Sequence, residues 1–130
     1  MLLSSVLTLA ALAALVQWRA YQREVKANTE FPPIGELLDV DGTMVHALVQ
    51  GEGPDLVLIH GASGNLRDFT FGMVETLATR YRVILFDRPG LGSTDALPRN
   101  AGAWNKTSAS PAEQADLLQK AADQLGVSNP

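Results

Sequence analysis

Leu56-Val57-Leu58-Ile59-His60-Gly61-Ala62-Ser63-Gly64 and Val83-Ile84-Leu85-Phe86-Asp87-Arg88-Pro89-Gly90-Leu91-Gly92-Ser93 are the two stretches that decide how this chain folds. Each is a short apolar run that breaks into a glycine-rich loop. Val and Ile suit strands buried on both faces, as the strands of a parallel sheet are. The glycines after each run permit positive φ and close backbone approach, so the loops can shape a site at the carboxyl ends of the strands. The pair predicts an α/β fold with a site at those loops.

The flanks extend this reading. Glu36 to Val40 and Thr43 to Val49 are strand-like runs around Asp41-Gly42, a strong two-residue turn signal, and predict an antiparallel β-hairpin. His46 falls within that hairpin and is expected on its surface, with no neighbour in sequence to orient it for proton transfer. Gly51-Glu52-Gly53-Pro54 then turns the chain into a strand over Asp55 to His60. Leu66 to Thr79 carries Phe69, Met73, Val74 and Leu77 at helical spacing, one stripe for packing on the sheet, with Phe71 and Gly72 as imperfections. A second strand is expected over Arg82 to Asp87. Ser110-Pro111-Ala112-Glu113 opens the clearest helix: Ser110 caps it, Pro111 suits its first turn, Glu113 completes a capping box and Gly126 supplies a left-handed stop. Its buried face would be Leu117, Leu118, Ala121, Ala122 and Leu125. Strand, helix, strand, helix with short connections implies right-handed crossovers and a parallel sheet behind the opening hairpin.

Met1 to Val16 is apolar apart from Ser4, Ser5 and Thr8, and Gln17-Trp18-Arg19 ends the run. As a helix it would be about 25 Å long against a hydrocarbon core of about 30 Å. With no Lys or Arg ahead of it and no small-residue cleavage site behind it, residues 1–18 are expected to be an uncleaved membrane anchor, a cleaved export signal being the alternative. Arg19, Arg23 and Lys26 follow at once, which favours a cytoplasmic body. Residues 19–35 would form a juxtamembrane helix and a linker stiffened by Pro32-Pro33, leaving 36–130 as the α/β body.

Composition narrows the functions. A net charge of −4 without lysine-arginine clusters excludes a nucleic-acid surface. With no cysteine there is no disulfide, thiolate nucleophile or thiolate metal site, and two histidines in separate strands offer no metal-ligand spacing. No metal and no cofactor are expected. Gly90-Leu91-Gly92 lacks the third glycine of a dinucleotide fingerprint, Asp95 standing in its place, and no helix follows at once. Asn105-Lys106-Thr107 spells a glycosylation sequon.

The two opening segments closely resemble the α/β-hydrolase superfamily. His60 to Gly64 is similar to its HGxxG oxyanion-hole loop, and Asp87 to Ser93 to the DxxGxGxS segment after its next strand; the resemblance runs from about Glu36 to Pro130. It implies that the Ala62 N–H is an oxyanion donor, that Gly61 and Gly64 let that loop bend, and that His60 braces it. It also implies a structural corner over Asp87, Arg88, Pro89, Gly90, Gly92 and Ser93, with Asp87 tying down loop amides and Pro89 and Gly90 setting a tight turn. The family's G-x-S-x-G nucleophile elbow, acid and catalytic histidine are not among these residues. Gly61-Ala62-Ser63-Gly64 lacks the second spacer and sits at the oxyanion position, so Ser63 is not read as a nucleophile. Ala62 offers no side-chain amide, as haloalkane dehalogenases do there, and Ser63 is not the proline of epoxide hydrolases, which favours ester or related small-molecule hydrolysis. The chain is accordingly expected to be the amino-terminal portion of a membrane-anchored hydrolase, inactive by itself. The alternative is a truncated, non-catalytic, membrane-tethered interaction protein that self-associates through an uncovered sheet edge.

Overall fold

The computed structural model describes residues 2–97, 108–128 and 130. They fall into two units, Met1–Pro33 and Ile34–Pro130. The sequon at Asn105 lies outside the described residues.

The first unit is a single helix, α1, from Leu2 to Glu30. Every described side chain from Ser5 to Glu30 is exposed. The expected anchor and juxtamembrane helix are therefore one continuous element. Among the described residues, no helix is long and apolar enough to cross a membrane. The apolar run ends at Val16, and Arg19, Arg23, Glu24, Lys26 and Glu30 follow it on the same helix.

In the second unit, β1 (Glu36–Val40) and β2 (Thr43–Gln50) form the hairpin, followed by β3 (Asp55–Ile59) and β4 (Arg82–Phe86). The hairpin turns through Asp41 and Gly42 at φ 54° and 82°, the double positive φ that a two-residue turn of this hand requires. The sheet runs in the order β1-β2-β4-β3, with β3 and β4 parallel and the other pairs antiparallel. Both glycine-rich loops consequently leave the same end of the sheet from adjacent strands, Ile59 pairing with Phe86 at the last step.

The period of two along a strand divides the core between two faces. Ile84 and Phe86 of β4, with Val45 and Ala47 of β2, pack on Leu117, Leu118 and Ala121 of α3 (Pro111–Gln124). Val83 and Leu85 face the other way, onto Leu66 and Val74. α3 begins as its sequence dictates: Ser110 Oγ accepts the Glu113 N–H, and Glu113 accepts the Ser110 N–H in return. Gly126 follows its end at φ 67°.

The segment from Leu66 to Thr79 departs from a single helix. It is a 3₁₀ turn over Leu66–Phe69 and a short α2 over Met73–Leu77. Gly72, at φ 90°, ends one helical path and starts another. Leu66 and Val74 are buried, while Met73 and Phe71 are exposed, so Met73 does not join the expected stripe.

Candidate active site

The first loop is clamped by two consecutive residues at the end of β4. At its start, the Arg88 N–H donates to His60 Nε2 at 3.0 Å. Because a backbone N–H only donates, His60 carries its proton on Nδ1, which reaches Gly61 O at 2.9 Å. Both ring nitrogens are thus engaged in holding the loop, and the imidazole is buried. At the far end of the loop, the Leu66 N–H donates to Asp87 Oδ1 at 2.7 Å. Between these anchors Ala62 is exposed, and among the described residues its N–H makes no hydrogen bond.

The loop's one positive φ is at Ser63, 60°, whereas Gly61 and Gly64 have negative φ. The bend expected of the glycines thus resides in a serine, a left-handed conformation that costs a residue with a side chain about 1–2 kcal/mol. Gly64 serves close approach instead: a Cβ there would lie 2.2 Å from Asp68 Oδ2. Asn65 then caps the 3₁₀ turn, its Oδ1 accepting the Arg67 N–H while Asp68 accepts the Asn65 N–H.

The second loop is organised around Asp87, which is 1% exposed. Besides Leu66, its carboxylate accepts the Ser93 N–H at 2.9 Å and a proton from His46 Nδ1 at 2.7 Å. Burial pushes the Asp87 carboxyl upward, but donation from His46, Ser93 and Leu66 outweighs it and holds the group below its ordinary value of 3.8. Arg88 to Leu91 is a tight turn closed by the Leu91 N–H on Arg88 O at 2.9 Å, with Pro89 in its second position and Gly90 at φ 76° in its third. Gly92 passes so near the carboxylate that a Cβ would lie 2.1 Å from Asp87 Oδ2. Arg88 Nε donates to Gln114 Oε1 at 2.9 Å, joining this loop to α3.

His46 is corrected by the structure. It is 2% exposed, not on the hairpin surface. β2 packs one face, through Val45 and Ala47, on α3, and the strand alternation sets His46 on the other, with Leu48 against Leu66 and Val74. Its Nε2 accepts the Gly35 N–H at 3.1 Å, which assigns the proton to Nδ1 for Asp87. Its own N–H goes to Thr94 Oγ1, whose hydroxyl donates to Asp87 O. The partner missing from its sequence neighbourhood stands 41 residues on. A signal was present: a lone histidine in an otherwise apolar central strand must be satisfied by a polar group at the end of a neighbouring strand. Among the described residues there is no group of acidic or imidazole side chains able to hold a metal.

Two parallel strands of a mixed sheet thus end in loops that close on each other, and the Ala62 N–H between their anchors is unbonded among the described residues. Residues 54–130 match the family model of the alpha/beta hydrolase fold. The chain belongs to that family. It is 52% identical over 44 residues to a pimeloyl-acyl-carrier-protein methyl ester esterase of Aeromonas hydrophila, covering 34% of this chain and 17% of that protein. To the enzyme of the same name from Chromobacterium violaceum it is 50% identical over 50 residues, 38% of this chain and 19% of that protein. The crystal structure of an alpha/beta hydrolase fold protein from Burkholderia ambifaria superposes with a TM-score of 0.62 at 26% identity, covering 75% of this chain and 33% of that one. The chain thus spans less than a fifth of these curated relatives and a third of the solved structure.

Proposed function

We propose that this chain supplies the oxyanion half of a hydrolase site for esters or related small molecules, with the nucleophile, acid and catalytic histidine contributed by sequence after Pro130. The observation that carries this reading is the Ala62 N–H, left without a partner on a loop anchored at both ends. Ester hydrolysis develops negative charge on the carbonyl oxygen, and a preorganised backbone donor stabilises it by about 3 kcal/mol. The second donor would come from the residue after the nucleophile. Likeness to two methyl ester esterases supports an ester substrate.

The course of the chain supports the same reading. Among the described residues β3 is an edge strand, Ile59 is 51% exposed, and an apolar groove lined by Val57, Ile59, Phe86, Leu118 and Val127 runs beside it. The Ser128 N–H donates to Asp55 Oδ2 at 2.9 Å, so the chain after α3 starts level with the beginning of β3. A further strand there would pair with β3 and bring its carboxyl end beside the Ala62 loop. On the 130-residue protein we expect no turnover of a nitrophenyl ester and no labelling by a serine-directed fluorophosphonate, and both on a protein carrying the downstream sequence. Labelling of Ser63, or an extended protein without turnover, would refute the reading.

Attachment to a membrane, with the body on the cytoplasmic side, belongs to the same proposal. Exposed Val6, Leu7, Leu9, Leu12, Leu15, Val16 and Trp18 support it, because apolar surface of this extent on a helix favours lipid. Arg19, Arg23 and Lys26 would then meet anionic headgroups. Flotation with anionic vesicles is the expected result, abolished on deleting residues 1–18; a protein that stays at the bottom of the gradient without that deletion contradicts it. The open edge of β3 favours a second reading, a non-catalytic module that self-associates through that edge. Light scattering distinguishes it: association that persists once the downstream sequence is present supports the second reading.

A further inference from the structure

We propose that His46 is a positioning residue for the oxyanion loop, acting through Asp87; this rests on the reading of Ala62 as the oxyanion donor. A carboxylate on a single Cβ can turn about its last torsion, and the loop needs one of its oxygens aimed at Leu66. Three donors surround Asp87, and they divide unequally: Oδ1 serves Leu66 alone, while His46 Nδ1 and the Ser93 N–H both grip Oδ2. The grip on Oδ2 therefore sets the plane that presents Oδ1 to Leu66. Ser93 belongs to the same glycine-bearing loop as Asp87, with Gly90 and Gly92 at positive φ between them. His46 lies instead in the middle of a central strand, its ring buried and fixed on its other side by Gly35. It is the donor with the most rigid support. The route from β2 to the candidate donor is then short: His46 orients Asp87, Asp87 holds Leu66, and Leu66 closes the loop that carries Ala62.

The two ring nitrogens have separable duties, and two substitutions separate them. In His46→Asn the side-chain amide nitrogen replaces Nδ1 and can still donate to Asp87, while the acceptor for Gly35 is lost; in His46→Gln the amide reaches the Nε2 position and can accept from Gly35, while Asp87 loses its donor. The test is amide hydrogen exchange on the 130-residue chain, read at Gly35, Leu66 and Ile84. The expected result is Leu66 exchange accelerated about tenfold in His46→Gln and near that of the unmutated chain in His46→Asn. Gly35 should respond the other way, and Ile84 in mid-strand should hold in both. Unchanged Leu66 exchange in His46→Gln overturns the proposal, as does a uniform loss that includes Ile84 in both variants, which would make His46 a support of the whole core. In a form carrying the nucleophile, His46→Gln should lower kcat about 10- to 100-fold with KM unchanged, with His46→Asn restoring most of it. Equal losses in the two variants would overturn the proposal. A form with no turnover before mutation would refute the hydrolase reading alone and leave the exchange result standing.

Discussion

Replacing Asp87 by Asn tests how far the two loops depend on one buried carboxylate. The carboxylate accepts from Leu66 and His46 at 2.7 Å and from Ser93 at 2.9 Å, with Asp87, His46 and Leu66 buried and Ser93 half-buried. Asparagine keeps one acceptor oxygen and replaces the other with an NH₂ group. Its oxygen is best placed at the Oδ2 position, where it accepts from both His46 and Ser93, and the new NH₂ then faces the Leu66 N–H. The opposite orientation would leave two donors without acceptors, and His46 could not relieve it by shifting its proton, because Nε2–H would then oppose the Gly35 N–H. One buried donor is left without an acceptor, so a loss of about 2–3 kcal/mol is expected. That is a sizeable share of the 5–15 kcal/mol typical of a whole domain. Urea unfolding followed by far-UV circular dichroism reads it: with a slope of about 2 kcal/mol per molar, the midpoint should fall by about 1 M. A loss below about 1 kcal/mol would refute the reasoning, because the loops would then be held by other contacts.

The same carboxylate fixes a pH dependence. Its folded pKa lies below 3.8, so its contribution is complete above the unfolded value and is lost as pH falls through the folded one; the stability gap to Asp87→Asn should be full at pH 5–7 and shrink below about 3.8, as acid titration of both proteins would reveal. Gly92→Ala should cost about 3–5 kcal/mol, since its Cβ would meet the pinned Asp87 carboxylate and φ is 55°. Gly42→Ala, with open space around it, should lose only about 1–2 kcal/mol, and thermal unfolding of the two should rank them so. Ser110→Ala removes the cap of α3 and should destabilise by about 1 kcal/mol in the same assay.

What was legible in the sequence follows from how local each signal is. The Asp41-Gly42 hairpin, both parallel strands and the Ser110 capping box rest on residues within a few positions of one another, and the structure places these elements within a residue of their expected bounds. The 66–79 segment was half legible, because apolar spacing marks a helix face but Gly72 divides it into two short turns that present different residues. His46 was illegible by neighbourhood: its partner comes from the far end of β4, and only the order β1-β2-β4-β3 brings them together. The apolar run of α1 was plain, and the structure makes it one continuous helix with the charged residues from Arg19 onward.

The most direct test of the central claim is a crystal structure of the protein carrying its downstream sequence, trapped with an alkyl phosphonate. The phosphonyl oxygen is predicted to lie about 2.7–3.1 Å from Ala62 N, with phosphorus bonded to a nucleophile beyond Pro130. An adduct on Ser63, or an oxygen held elsewhere with the Ala62 N–H turned away, would contradict it.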